Sequence, residues 1–465
     1  MSSVKRLATV GGLVLALSIA GCSSSPSGGS TALPKITGPG ADTVAPWAAS
    51  GTAPSTKITI CLFAGPELDS MKKLAPQFTD FSKGKITVDF VPIPTSSSNQ
   101  GTLSQLKSGA STCDLVDQSS TNAGLINQYL EPLQPFMDQP SLFNPAVYNL
   151  ADFPDALLAL GKTKDGLVSL PYGSDTPLLM YRKDLMKKWG IEVPVPPKAW
   201  SWDEFNAAIT TIKPHLAEEG MENPIAIGGA SSVSGAIFAL QAMWSAGGDP
   251  LNGAKTFNFK DPKVAEGLQK SVDLVTNKDA SPGTATYDYA ELQQSLILGR
   301  VPMAIEWNAA AGDLGDAAKS PKTAGNMAYA MVPYAGNPEQ PRTFLSTHTV
   351  AMNKNSVNKN AAFEFIVWYT SKDVARIYVA SGAGSSGRTS LLTDSSFEAS
   401  QPQLSALGYS LAVAHALPDS PYLPSILTDV IGPSSNAAYA GTSDVTSAVG
   451  AMQIAAEAMV QKAGG

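Results

Sequence analysis

From Lys57 onward the sequence alternates short apolar runs with longer helical stretches, and this alternation limits the fold more than any other feature. Ile58-Thr59-Ile60-Cys61-Leu62-Phe63 predicts a strand, Leu68 to Phe81 a helix, and Lys85 to Val91 a second strand. Thr102 to Lys107 then predicts a second helix and Leu115-Val116 a third strand. A βαβαβ order of this kind builds a parallel sheet with helices on its faces. In such sheets ligands approach the carboxyl ends of the strands and the loops that leave them. Phe63-Ala64-Gly65-Pro66-Glu67 and Asp117-Gln118-Ser119-Ser120-Thr121-Asn122 occupy those places. Pro171 to Pro177 opens a new region, followed by the strand-like Leu178-Leu179-Met180-Tyr181, and a first crossover between lobes is expected just before it. The sequence contains no internal repeat.

The start of the chain speaks to location. Lys5 and Arg6 precede a short apolar stretch, Leu13 to Leu17, which runs into Ile19-Ala20-Gly21-Cys22. A basic pair, an apolar run too short to span a bilayer and small residues before a cysteine make residues 1–21 read as a secretory signal of the lipoprotein kind. Cleavage would leave Cys22 as a lipidated N-terminus on the outer face of the cell membrane, where two or more acyl chains give stable anchoring. Residues 22–56 are dominated by Pro, Gly, Ser, Thr and Ala and read as a flexible tether.

The roughly 400 residues that follow exceed the comfortable size of one core, so two lobes are expected. Residues 57–170 with about 335–375 form the first in this reading, and residues 171–334 with about 376–465 the second. Hydrophobic content of 43% against 15% charge, with no later apolar run of spanning length, predicts a soluble body held to the membrane by lipid alone. The formal charge is -7, and loss of Lys5 and Arg6 with the signal makes it -9, which argues against a nucleic-acid surface. Cys61 and Cys113 remain after Cys22, and outside the cytoplasm an even pair suggests a disulfide, with two buried free thiols as the alternative.

Four blocks carry a family resemblance. Tyr181-Arg182-Lys183-Asp184-Leu185 leads through Lys188-Trp189-Gly190-Ile191 and Pro196-Pro197 to Trp200-Ser201-Trp202-Asp203-Glu204-Phe205. The second block is Leu298 to Asn308, the third His348 to Ser356 running into Asn360 to Phe365, and the fourth Ser381-Gly382 to Arg388. Together they resemble the sugar-binding family of ABC-importer solute receptors that contains maltose-, glycerol-phosphate- and polyol-binding proteins. Thr347-His348 stands where relatives often carry Gly-Trp. The resemblance implies an α/β, two-lobed periplasmic-binding-protein fold of the type II kind, with a hinge and a ligand cleft between the lobes. It also implies a monomeric carrier without cofactor or metal that delivers a sugar or sugar alcohol to membrane permease subunits. Polyol-binding members are the nearest in kind, on the Gly65 to Asp69 loop and Leu74-Ala75-Pro76-Gln77-Phe78.

Sugars present an apolar C–H face and a rim of hydroxyls, so their sites combine aromatic platforms with carboxylate, amide and guanidinium groups. Trp307 closes a strand and Asn308 follows it, and Trp244 lies at a helix end; both tryptophans are candidate platforms, with core packing as the alternative. Asp175 and Glu67 are candidate acceptors for paired hydroxyls, Asp175 otherwise being a solvated turn residue. Arg388 is a candidate fork donor or else an ion-pair residue, and Gln118, Asn122 and Tyr172 fit the rim by position. His348 either donates to a ligand or stacks on it, or is a satisfied structural residue.

Enzyme chemistry finds no specific support. Carboxylates are too numerous, at 39 Asp plus Glu, for any pair to mark a glycoside hydrolase. Ala383-Gly384-Ser385-Ser386-Gly387 misses an esterase elbow at its first glycine, and His215, His348 and His415 show no metal spacing. A secreted glycoside-acting enzyme and a ligand-free interaction protein on the same fold are the alternatives to a receptor.

Overall fold

The structure is a computed structural model and describes residues 41–94, 98–109, 111–337, 342–380, 384–397 and 399–462. The signal segment and Cys22 lie outside the described residues, as do Ser381, Gly382 and Ala383 of the fourth block. Among the described residues, no helix is long and apolar enough to cross a membrane.

Two sheets organise the chain. The first has the strand order Ile86–Ile93, Thr56–Phe63, Leu115–Ser119, Ser346–Met352, Ser169–Asp175. Its first three strands are parallel, joined by the helices Pro66–Phe81 and Ser98–Lys107, so the βαβαβ reading of the sequence holds. Strand Ser346–Met352 enters antiparallel between Leu115–Ser119 and Ser169–Asp175. The second sheet has the order Met327–Ala330, Pro177–Arg182, Met303–Trp307, Ile225–Ala226.

The registers bring the ends of the two sheets together. In the first sheet, Phe63, Ser119 and Asp175 finish their strands at the edge where Ser346 begins its own, Ser346 being paired with Asp175. In the second, Pro177 is paired with Trp307. The chain therefore passes between sheets at Thr176, a few residues later than just before Pro171, because Pro171 to Asp175 continue the first sheet. The return passage runs through the short strand Thr343–Phe344, and Thr176 Oγ1 lies 2.6 Å from Thr343 Oγ1, both side chains buried. The two crossing segments are thus bonded to each other.

Each sheet packs its own core. Cys61, Leu106, Val116, Ile126 and Ala351 belong to the first, and Met180, Phe205, Leu240, Trp244 and Ile305 to the second. Cys61 and Cys113 are joined in a disulfide that pins the first strand to the turn before the third, with Cα atoms 5.6 Å apart. The helix start read in Ser201 to Phe205 is a reciprocal cap: Ser201 Oγ accepts from Glu204 N, and Glu204 Oε2 accepts from Ser201 N at 2.7 Å.

The segment read as tether as far as Thr56 is folded from Ala41. Helical turns Ala41–Val44 and Pro46–Ser50 bury Val44, Ala45 and Ala48. Trp47 N and Ala48 N both donate to the buried carboxyl of Glu364, on the helix Lys359–Tyr369. These N–H groups have no partner within so short a helix, so an acidic group from another helix caps them. Composition alone missed this because small residues that look linker-like also fit a close helix-to-helix contact.

Candidate functional site

A small cavity opens where the two sheet edges meet. Its lining includes Glu67, Tyr172, Asp175, Asn308, His348 and Tyr378, and its free volume is ≈ 20 Å³, room for about one water. Five of the ten candidate ligand residues therefore converge. Glu67 sits in the first turn of the helix that follows the first strand, Tyr172 and Asp175 on the last strand of the first sheet, and His348 on the strand beside it. Asn308 comes from the second sheet, just past its strand end.

Sheet register explains the first cluster. Asp117 is paired with Val350, which makes His348 its diagonal neighbour on the same face. The pairing of Ser169–Asp175 with Ser346–Met352 shifts between His348 and Thr349, so that Tyr172 is an extra residue between Pro171 and Gly173. A bulge of this sort re-aims a side chain. Tyr172 donates its hydroxyl to Asp117 Oδ1 at 2.9 Å, and His348 Nδ1 lies 3.2 Å from the same oxygen. Phe63, with its ring 5.0 Å from that of His348, covers the imidazole.

Carboxyls dominate the electrostatics. Burial raises Glu67 above the ordinary range, with Asp117 adding to this and His348 opposing it. Burial and the charge of Glu67 push Asp175 up to about 8, against His348 and the backbone N–H groups of Thr176 and Asn308. Glu306, fully buried one residue before Trp307, is raised by burial despite the bond from Trp307 N to its Oε1. Burial alone would lower His348, but the charge and hydrogen bond of Asp117, with Glu67 and Asp175 beyond, carry it up to about 9.

The remaining candidates lie elsewhere. Gln118 is buried under the first sheet, where its side chain bonds Asn127, Ser169 and, at 2.8 Å, Thr349 Oγ1. Asn122 folds back so that its Oδ1 accepts from Ser119 N at 2.8 Å, holding the turn after the third strand. Trp244 is 1% exposed and stacks on His415 with ring centres 4.6 Å apart and planes 4° apart, inside the second lobe. Arg388 is equally buried: Nε donates to Thr370 O, Nη2 to Tyr148 O and Nη1 to Asp152 Oδ2, with Phe153 under the guanidinium. Every face of that guanidinium is used internally, so it is not a ligand fork. Trp307 lies beside the cavity, not in its lining; it packs against Phe238 and Phe344, and its Nε1 donates to Ser234 Oγ at 3.3 Å.

Sequence reading passed over Asp117, Glu306, Tyr369 and Tyr378. Asp117 and Glu306 stood inside quoted segments, and alternation along their strands was the available signal. Tyr369 and Tyr378 come from helices behind the first sheet, and nothing local in the sequence points them at the site. A wider depression lined by Pro154, Leu157, Leu345, Leu392 and Tyr409 is mainly apolar and contains none of the ten candidates.

The family model described as bacterial extracellular solute-binding protein matches residues 64–376. A probable amino-acid ABC transporter periplasmic-binding protein of Sinorhizobium fredii is 24% identical over 73% of this chain and 74% of its own. Among solved structures, maltose-bound MalE3 of T. maritima superposes with a TM-score of 0.75 at 23% identity, over 87% of this chain and 99% of that one. An ABC transporter solute-binding protein of Agrobacterium vitis with bound D-mannitol gives 0.72 at 23% identity, over 88% and 99%. The fold is accordingly the two-lobed periplasmic-binding-protein fold.

Proposed function

Because the chain belongs to the bacterial extracellular solute-binding protein family, we propose that it captures a single sugar or sugar alcohol between its two sheets and delivers it to an ABC permease. The observation that carries this reading is the meeting of Glu67, Tyr172, Asp175 and His348 from one sheet with Asn308 from the other around a single cavity. Carboxyl, imidazole, phenol and amide groups are the partners that a rim of hydroxyls needs. Tyr172 offers a ring edge or face to the C–H side.

The free space among these residues, ≈ 20 Å³, is far below the roughly 300–1,000 Å³ of small-molecule sites, so a solute enters only when the sheet edges part. The bound maltose and D-mannitol of the two structural relatives support a polyhydroxylated solute. In this reading the lobes hinge at Thr176 and Thr343, whose paired hydroxyls hold the crossing segments as one unit while the sheet edges close on the ligand. A lipid on Cys22 tethers a monomer to the outer face of the membrane, and the protein carries its solute without catalysis, cofactor or metal.

The test is a thermal-shift panel of monosaccharides, hexitols, pentitols and disaccharides on the mature domain. A ligand that binds only the folded state raises the melting temperature in proportion to RT ln(1 + [L]/Kd). A clear rise for one class of sugar or alditol supports the reading; a rise for none of the panel overturns it.

A further inference from the structure

The proposed site gathers more carboxyls than cations, and with a neutral solute burial and mutual repulsion favour their protonated forms. Four carboxyls, Glu67, Asp117, Asp175 and Glu306, influence one another across it, and His348 is the one basic side chain among the described residues that line the cavity. His348 is already paired with Asp117. The other titratable groups that face the carboxyls are Asp288, near Glu306, and four phenols: Tyr172 from the bulged strand, Tyr289 from the helix Tyr289–Ile297, Tyr369 from Lys359–Tyr369 and Tyr378 from Lys372–Ala380. None of these supplies a positive charge.

Two further observations show polar groups without partners beside the cavity. Glu67 Oε2 is buried without a hydrogen-bond partner, and so is the hydroxyl of Tyr369, a residue 3% exposed. The Tyr369 ring packs on Tyr172 and Tyr378, which line the cavity, and its hydroxyl is pushed up by burial and, after that, by the charge of Glu67. Asp175 accepts from Thr176 N at 2.9 Å and from the backbone N–H of Asn308, and it lines the cavity within reach of the charge of Glu67.

Resting on the reading above, we infer that the solute is a polyhydroxylated molecule that carries a protonated amine, an amino sugar or amino alditol, with its ammonium held between Glu67 and Asp175. An ammonium brings three donors and a full charge to a place where crowded carboxyls otherwise favour their protonated forms. Phenol faces at Tyr172 and Tyr378 add cation–π attraction. A metal ion does not fit: among the described residues no three His, Cys, Asp or Glu side chains are grouped to hold one. An α-amino acid fits poorly too, because its carboxylate would enter among four carboxyls and meet one basic side chain, His348, whose charge is already paired with Asp117.

The inference carries a proton signature. Asp175 holds its proton to about pH 8 in the empty site. Seating an ammonium beside it favours the carboxylate, so one proton leaves for the buffer as the cation enters, whereas a neutral alditol displaces none.

The experiment is calorimetric titration of matched pairs, D-sorbitol against 1-amino-1-deoxy-D-sorbitol and D-glucose against D-glucosamine, near pH 6.5 in two buffers of different ionisation enthalpy. The expected result is tenfold or tighter binding of the amine in at least one pair, with up to one proton released, and loss of that preference in E67Q and D175N. Equal or weaker binding of both amines, or amine binding with no proton released and an undiminished preference in both variants, overturns the inference and leaves the sugar-alcohol reading standing. Absence of binding by every member of both pairs overturns the inference and that reading together.

Discussion

His348 Nδ1 lies 3.2 Å from Oδ1 of Asp117, and the same oxygen accepts the hydroxyl of Tyr172 at 2.9 Å. One carboxylate thus fixes the two rings that wall the cavity on the side of the first sheet. Replacing Asp117 with Asn keeps the shape and removes the charge. Hydrogen bonds to charged groups contribute about 1.5–3 kcal/mol, so D117N is expected to weaken ligand binding by about 10- to 100-fold if both rings lose their hold. It is also expected to lower the pKa of His348 from about 9, because Asp117 is what outweighs burial there. NMR titration of the imidazole, set beside calorimetry, checks both; an unchanged His348 titration contradicts the assignment.

Proton linkage runs in one direction between pH 5 and 9. His348 is raised from 6.5 to about 9, Asp175 from 3.8 to about 8 and Glu364 from 4.5 to about 8. In each case the folded protein keeps a proton that the unfolded chain releases, so stability falls as pH rises. The His348 contribution is complete below about pH 6.5 and gone above about 9; for Asp175 and Glu364 the loss runs from about pH 4 to about 8. Carboxyls held low, such as Asp394 at about 2, act in the opposite sense only below about pH 4. The melting temperature of ligand-free protein is expected to fall between about pH 5.5 and 8.5, less steeply in D175N. A rising curve over that interval contradicts the account.

Thr176 and Thr343 pair their hydroxyls at 2.6 Å in the buried segments where the chain crosses between sheets. Removing one partner leaves the other buried and less satisfied, at a cost of about 1–3 kcal/mol, whereas replacing both with groups of the same shape costs much less. T176V and T343V are each expected to lower stability in denaturant titrations, and the double variant to lie above the sum of the two. Strict additivity would mean that the hydroxyls do not act as a pair.

Reduction or removal of the Cys61–Cys113 bridge is expected to cost about 2–4 kcal/mol of stability by freeing the unfolded chain. The bridge lies in the core of the first lobe, away from the cavity lining, so the affinity of the folded protein should not change. Chemical denaturation and calorimetry of C61A/C113A separate the two effects.

The alternation from Lys57 to Val116 made the first sheet legible, because strand and helix there have distinct apolar patterns and lengths. Glu67, Asp175 and Asn308 were legible for a related reason: each sits at or just beyond a strand end at the open edge of a sheet. Trp244 and Arg388 were misread because residue type suggests chemistry without showing which way a side chain turns. Trp244 turned inward onto His415, and Arg388 was enclosed by carbonyls of residues far away in sequence. Asp117 needed the register against Val350, and Tyr172 needed the bulge, both of which are set by pairing with a strand that arrives more than two hundred residues after Asp117. The packing of Ala45 and Ala48 under Glu364 is long-range in the same way.

The central claim is that the solute is held where Asp175 and Asn308 face each other across the sheet edges. Calorimetric titration of wild-type protein and of D175A with the tightest ligand of the panel tests it most directly. The account predicts a loss of affinity of tenfold or more in a variant that still unfolds cooperatively. Wild-type affinity in folded D175A would contradict it and place the solute elsewhere in the protein.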